Sequence, residues 1–590
     1  MTEFDTEVLV VGAGVTGLSL AALLSRFGIK TLVIAKHSGT APAPRAHITN
    51  QRTMEVFRDM GIEDQVKAVS TPLKSLGSGV MTTSLTGTEV GRYHCYGAGD
   101  HQLSDFTKSS PCEMQNSPQH LLEPVLLVRA RENGAQVRFN NELAHIEQSS
   151  QQVVARVRER ITGAEYTVRA RYVVGADGAR SAVAKKLGFP FEGQPGLMSM
   201  LTAWLEVDLS RYTSYRPACI YWLLQPGNEN WVSAGNCLCV RPYDEWTLTR
   251  QYDPANGEPD MSDEATIEYA RKVMGLEDSS LPIRVKHVGK WEVNHMVAIE
   301  YRRHRVFLAG DAAHRHPPAS GLGTNTSIQD AYNLAWKLSL VLKGQAGDGL
   351  LDSYDQERQP VGKQVVDHAI TTLYEQTQMS RVLGFNKGQS REQGYASLED
   401  MFSDGPDAEE RREKLEEQVD LGNRRSNATG LHMGQRYKAS SAVIDDGTPF
   451  PSHQRDPVLF YEPTTCPGAY LPHAWVQFER QLISTLDILQ LGHFGLIVGI
   501  GGKPWELAAT QISRDLGIQL PVYAIGYRCI YDDVFGEWKS RREIGDRGAL
   551  LVRPDRHIAW RSTTRPEDPA AALRSALLSV LDRSISCNEP

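Results

Sequence analysis

Residues 7–17 read EVLVVGAGVTG, a β-branched run that ends in a glycine turn and enters a stretch of helix formers. The helix formers continue over residues 15–27 until Gly28 stops them, and Thr31 to Ile34 then begins a second strand. Strand, glycine turn, helix and strand within about 30 residues is the order a parallel βαβ unit requires, because parallel strands need a crossover between them. Gly12, Gly14 and Gly17 fit GxGxxG in that context. The first glycine permits the tight turn, the second lets a pyrophosphate approach the backbone, and the third packs helix on strand. Val15 and Thr16 open the helix, whose N-terminus supplies oriented N–H donors to an anion. A Rossmann-like dinucleotide-binding domain is therefore predicted at the start of the chain. An acidic residue should end the second strand and hold the adenosine ribose, yet Ile34 is followed by Ala35 and Lys36. A missing acid beside a cation points to a 2′-phosphate and NADP, so the nucleotide must be settled elsewhere.

Outward from this unit, 590 residues are too many for one ordinary core and predict two or three domains. Hydrophobic residues make up 41% and charged ones 23%, enough apolar side chain for sizeable cores. A net charge of −8 and a pI near 6.1, with acids and bases interleaved, exclude an electrostatic nucleic-acid binder and suit a small-molecule enzyme. No run approaches the roughly 20 apolar residues of a membrane span, and the start carries acids where a secretory signal carries bases. A soluble, cytoplasmic protein with no membrane partner is expected. Cys95, Cys112, Cys219, Cys237, Cys239, Cys466, Cys529 and Cys587 are scattered without a CxxC pair or a ligand-like cluster, so they read as reduced structural thiols and no metal site is expected.

Strand-like alternation from Val137 to Arg171 ends in another glycine turn. From about 190 to 285 short strands rich in Trp and Tyr alternate with Pro and Gly turns, the pattern of an inserted antiparallel sheet. Strand character returns at Arg305 to Ala309, followed by a helix with Ala331, Leu334, Ala335, Leu338, Val341 and Leu342 at three-and-four spacing. The first domain is thus expected to be discontinuous, 1–189 with 286–385, around a substrate-binding sheet at 190–285. Residues 386–430 carry the run EERREKLEEQ and read as a solvated helix and linker. Residues 431–590 read as a separate small α/β domain.

Residues 174–183, VGADGARSAV, and 308–326, LAGDAAHRHPPASGLGTNT, complete a set with the GxGxxG. With these three segments in this order the chain resembles the aromatic-hydroxylase family of flavoprotein monooxygenases. PRAHITNQRTMEVFRDMG and HRHPPASGLGTNTSIQDAYNLAWKLSLVLKG resemble its phenol hydroxylase and 2,4-dichlorophenol 6-monooxygenase subgroup. PGAYLPHAWV and GALLVRPDRHIAWRS resemble that subgroup's thioredoxin-like C-terminal domain, here without a CxxC. The resemblance implies an α/β multidomain fold and FAD, not NADP, as the tightly held cofactor, with NAD(P)H as a transient co-substrate. Physical reading agrees: Asp311 follows a strand and a glycine and can accept from ribityl hydroxyls, which NADP lacks. The turn Gly321, Leu322, Gly323, Thr324 and Asn325 leads into a helix and would direct N–H groups at the flavin edge that gains charge on reduction. By resemblance Arg45 lies near the flavin phosphates, Gln119 contacts the cofactor, and Asp177 serves both FAD and pyridine-nucleotide use.

The implied activity is hydroxylation of a phenolic ring, ortho to its hydroxyl, with NAD(P)H and O2 through a C4a-hydroperoxyflavin. Free phenols titrate near pH 10, so a base that ionises the ring is useful. His47, where the phenol hydroxylase pattern carries an acid, is the candidate base. Tyr221, with Trp222 beside it, is a candidate ring contact, and Pro318 is expected to shape the backbone beside the flavin. His314 and His316 have HxH spacing but no evident third ligand. Epoxidation, dearomatisation or Baeyer–Villiger oxidation on the same fold, and a non-catalytic flavin-binding assembly module, are the alternatives. A homodimer or homotetramer is expected.

Overall fold

The computed structural model describes residues 4–227 and 230–584, apart from the side chain of His101. Thr6–Val11 lies at the centre of a sheet, parallel to Thr31–Ala35 on one side and to Glu165–Gly175 on the other. Gln136–Phe139 and Val306–Leu308 extend it in parallel, so strands far apart in the chain complete one Rossmann-like layer. An antiparallel hairpin, Asn141–Gln148 and Val153–Glu159, attaches through the first half of Glu165–Gly175. Helices Val15–Arg26, Gln119–Glu132 and Gly323–Leu342 pack around this layer, and Val8, Leu9, Val10, Leu18 and Leu334 are wholly buried in its core.

The second layer is an eight-stranded sheet. Phe191–Glu206, Ile220–Leu223, Gly235–Arg241 and Glu245–Tyr252 are the strands expected there, but the sheet is not confined to residues 190–285. Ser78–Thr82 and Glu89–His94 join one edge, Ser78–Thr82 running parallel to Ile220–Leu223, while Arg284–Ala298 and His314–Arg315 close the other. Short strands separated by more than a hundred residues gave no periodic signal that they pair with one another.

Residues 386–430 are not a linker. Helices Arg391–Met401 and Ala408–Ser426 lie against this sheet and bury Leu398, Met401 and Leu415 in its core, and the absent side chain of Gly91 makes room for Val419. The charge run occupies the outer face of an amphipathic helix, which composition alone does not separate from a solvated one.

After an irregular stretch at 434–474, a four-stranded sheet has the order Val522–Ala524, Gly495–Val498, Ala549–Val552, Ile558–Ser562. The first pair is parallel and the others antiparallel, with helices Lys503–Leu516 and Pro569–Val580, as in a thioredoxin-like fold. Cys95, Cys112, Cys219, Cys237, Cys239, Cys466 and Cys529 are free thiols; Cys587 lies outside the described residues. No helix among the described residues is long and apolar enough to cross a membrane.

Candidate active site

The three glycines of the first turn do different things. Gly12 has φ +114°, and a Cβ there would stand 2.1 Å from the carbonyl oxygen of Ala176. A Cβ on Gly17 would stand 2.0 Å from the carbonyl oxygen of Gly12. At Gly14 the nearest atom would be Glu123 Oε1 at 3.7 Å, so the space before helix Val15–Arg26 is open. First-turn N–H groups have no partner within their own helix, and they make this opening a place for an anion.

Cations surround the end of the second strand. Burial depresses the His37 imidazole, and Lys36, Arg45, Arg160 and Arg180 depress it further. Arg160 donates to the Lys36 carbonyl at 2.7 Å and pairs with Glu142 at 3.9 Å, whereas Lys36, Arg45 and Arg180 have no carboxylate at ion-pair distance among the described residues. Unpaired cations beside an open glycine turn suit a pyrophosphate. Gln119 does not point there alone: its Nε2 donates to Glu123 Oε1 at 2.6 Å, and Glu123 Oε2 accepts from Ala41 N at 2.5 Å. Glu123, which sequence reasoning missed, thereby ties the 36–45 loop to the glycine turn. Its signal was present as a Gln–Glu pair four residues apart on one helix face.

Asp177 lies beside Gly12, but its carboxylate turns toward its own loop. It accepts from Ser181 Oγ at 2.6 Å, Ala182 N at 2.6 Å and Val183 N at 3.2 Å, holding the start of helix Ala182–Leu187. Gly310 packs on Thr16 and Ser327, whose side chains a Cβ would meet at 2.4 and 3.0 Å, so the 310–311 segment sits directly on the GxGxxG turn. Asp311 opens onto the cleft, yet protein crowds it enough that burial pushes its carboxyl up, while His314, Arg315 and Arg45 pull it down. This fits an acceptor for ligand hydroxyls.

Beyond Pro318, which is exposed, Ser320 and Gly321 both adopt left-handed backbone, at φ +57° and +65°. The turn closes on Ile48, whose side chain a Cβ on Gly321 would meet at 2.7 Å. Asn325 locks the contact: its Oδ1 accepts from Asn50 N at 2.9 Å, and its Nδ2 donates to the carbonyls of Ile48 at 2.9 Å and Gly321 at 2.6 Å. Leu322 packs on Val361 and Val365, and Gly323 and Thr324 begin helix Gly323–Leu342. His47 is thus brought beside the 321–325 turn through its neighbour Ile48. Its imidazole is buried and depressed to about 4, first by desolvation and then by His120, with Asn116 and the Cys239 backbone opposing. His47 Nδ1 has no hydrogen-bond partner among the described residues.

Tyr221 is not brought to this site, a correction to its expected ring contact. Its side chain is wholly buried, it packs edge-on against Trp246 at 5.8 Å, and its hydroxyl donates to the Arg216 carbonyl at 2.6 Å. Strand alternation explains this, because adjacent residues face opposite sides of a sheet. Trp222 shares its face, by cross-strand register, with Asn236, Thr249 and Thr202, and the neighbouring row carries Leu238, Thr247 and Trp204. The His120 ring meets Trp204 at 4.8 Å, so this polar and aromatic face looks toward the first domain. Asn236 Oδ1, Gln115 Oε1 and His120 Nδ1 are buried there without partners among the described residues. Sequence reasoning singled out none of these three. His314 Nε2 lies 2.8 Å from Asp330 Oδ2 and His316 Nδ1 donates to the Pro317 carbonyl at 2.7 Å, so the HxH pair serves two separate polar contacts.

A family model described as FAD binding domain matches residues 5–369, and one described as aromatic-ring hydroxylase, C-terminal, matches 464–584. The chain is 41% identical to a 2,4-dichlorophenol 6-monooxygenase of Delftia acidovorans, over 98% of this chain and 99% of that one. It is 39% identical to a phenol 2-monooxygenase of a Pseudomonas species, over 97% and 92%. A crystal structure of the flavin-dependent monooxygenase PieE in complex with FAD and substrate is similar at a TM-score of 0.94 and 40% identity, over 99% of this chain and 100% of that one. The open glycine, the unpaired cations and Asp311 match the pyrophosphate and hydroxyl groups of FAD, and the chain belongs to the FAD-dependent aromatic-ring hydroxylase family of flavoprotein monooxygenases.

Proposed function

We propose that the chain hydroxylates a phenol ortho to its hydroxyl group, taking two electrons from NAD(P)H and placing one oxygen atom of O2 on the ring. The balance is phenol, O2, NAD(P)H and a proton giving the ortho-diol, water and NAD(P)+. Bound FAD supplies the redox and oxygen chemistry, and this chain's residues bind, orient and dehydrate. The names of the relatives, phenol and dichlorophenol monooxygenases aligned over nearly the whole chain, support the substrate class.

One observation carries the reading: a buried imidazole with a free nitrogen, His47 Nδ1, beside the 321–325 turn. A phenol hydroxyl donating to Nδ1 satisfies that orphan. Transfer of the proton leaves phenolate and imidazolium paired in a dry pocket, where each stabilises the other's charge. Ring electron density rises at the ortho carbon. Burial keeps the His47 imidazole neutral across the neutral range in the free protein, so Nδ1 can accept from a phenol hydroxyl, while full proton transfer depends on the phenolate beside it stabilising the imidazolium. Pro318 holds the left-handed Ser320–Gly321 turn, and the cations at Lys36 and Arg45 anchor the cofactor's phosphates. Asp177 supports the same site from behind by capping its helix.

The test is NAD(P)H consumption stimulated by a panel of phenols, chlorophenols, hydroxybenzoates and polycyclic phenols, scored by product mass with labelled O2. His47→Ala is expected to move the rise of hydroxylation with pH upward, toward the titration of the free phenol; an unchanged profile removes His47 from the proposal. A polycyclic natural-product phenol is the second reading, favoured by 33% identity to a tetracenomycin A2 monooxygenase-dioxygenase of Streptomyces glaucescens. Turnover only with the polycyclic members of the panel selects it. A homodimer or homotetramer is supported by Tyr527, Ile530 and Phe535, each exposed within one short stretch of the C-terminal domain, and sedimentation tests it.

A further inference from the structure

The helix Gly323–Leu342 carries Asp330, Asn333 and Lys337 at three-and-four spacing, a polar stripe that is wholly enclosed. Asp330 stands nearest the cofactor cleft. Its Oδ2 accepts from Gly310 N at 2.9 Å and lies 2.8 Å from His314 Nε2, so one carboxylate oxygen grips both ends of the turn that presents Asp311. Its Oδ1 accepts from Arg358 Nε at 2.8 Å. Arg358 passes the contact outward, donating to Gln435 Oε1 at 2.7 Å and to the Tyr437 hydroxyl at 3.3 Å. The Tyr437 ring stacks on His557 at 4.1 Å, and Asn333 Nδ2 donates to the Tyr437 hydroxyl at 3.3 Å and to Asp555 Oδ2 at 3.2 Å. Arg553 and Lys337 converge on Glu357, and Arg553 also pairs with Asp555.

Asp330, Glu357 and Asp555 thus face Lys337, Arg358 and Arg553, three acids against three bases, with side chains no more than 1% exposed. Desolvation opposes every one of these charges, and replacing buried ion pairs with apolar side chains is often neutral or favourable for stability. Stability alone therefore does not call for this network. What it does is join the 553–557 loop of the C-terminal domain to the Gly310–His314 turn.

We propose that the C-terminal domain is a positioning element for the cofactor turn, with Tyr437 and Arg358 transmitting its seating to Asp330 and so to Gly310 and Asp311. This rests on FAD being held at Gly310–Asp311, but Tyr437, Arg358 and Asp330 act through the turn rather than on the reacting atoms. A thioredoxin-like domain without a CxxC then has a definite role, which is to fix the backbone that carries the ribityl acceptor.

The experiment is a double-mutant cycle on the full chain, read by FAD affinity of the apoprotein, the flavin midpoint potential, and thermal midpoints with and without FAD. Tyr437→Phe removes one hydroxyl and is expected to weaken FAD binding about threefold to tenfold, the worth of an ordinary hydrogen bond. Asp330→Asn is expected to weaken it further and shift the potential, and in that background Tyr437→Phe should change affinity little further. If Asp330→Asn does not yield folded protein, Arg358→Lys takes its place in the cycle. Lowered thermal midpoints with unchanged FAD affinity and potential, or effects that add fully, would overturn the proposal. Phenol-stimulated turnover of the unaltered protein reports separately on the reaction itself.

Discussion

The cofactor cleft and the domain seam both gather charge, but they dispose of it in opposite ways. At the cleft Lys36, Arg45 and Arg180 lack carboxylates at ion-pair distance among the described residues, and Gly14 leaves space in front of a helix N-terminus. At the seam each of the six charges meets its opposite and water is excluded. Charge that protein does not neutralise marks where a ligand belongs, whereas charge neutralised in full marks where one element is fixed on another.

The largest expected break in that contrast is Arg553→Met, which leaves Glu357 and Asp555 short of a cation. A loss of about 3–5 kcal/mol in apoprotein stability, measured by urea unfolding, is the expected cost of stranding buried charge. A loss under about 1 kcal/mol would mean that water enters the seam. Next comes the glycine turn. Gly17→Ala drives a methyl against the Gly12 carbonyl and should cost about 1–3 kcal/mol without any cofactor present. Gly14→Ala has room in the apoprotein, so its effect should fall on FAD affinity instead, and equal losses of apoprotein stability in the two variants would contradict the open-cleft geometry.

Acid sharpens the comparison further. Burial holds His47 and His432 at about 4 and His473 at about 3, all below the ordinary 6.5. A depressed folded-state value means that the unfolded chain takes up the proton first. Their contribution is therefore present above pH 6.5 and lost as pH falls toward 4, by up to about 1.4 kcal/mol per pH unit for each histidine. Denaturant midpoints that stay level between pH 6.5 and 5 would show these imidazoles to be accessible. The smallest effect is expected at Lys36→Ala, where a half-buried cation at the rim of the cleft should change FAD affinity about twofold to fivefold and less at high salt.

Much of the cleft was legible because its parts are local. GxGxxG needs only a strand, three glycines and a helix in succession, and the 310–311 and 321–325 turns are likewise set by residues a few positions apart. The seam was not legible. Asp330, Asn333 and Lys337 fall opposite the apolar stripe of their helix, where polar residues ordinarily meet water. Only the arrival of Glu357, Arg358, Arg553 and Asp555 turns that face inward. Tyr221 failed for a related reason: two adjacent aromatics on a strand look equivalent in one dimension, and the pairing register decides which one faces the core.

The amino-acid order by itself determined the nucleotide-binding turn, the helix that follows it and the family likeness, because backbone conformation at glycine and periodic burial are properties of short segments. Tertiary structure alone decided that distant strands share the second eight-stranded sheet, that His47 is a dry, neutral imidazole, and that an enclosed ionic seam joins the last domain to the cofactor turn. Those outcomes depend on which surfaces exclude water from one another, and that is fixed only when segments hundreds of residues apart come into contact.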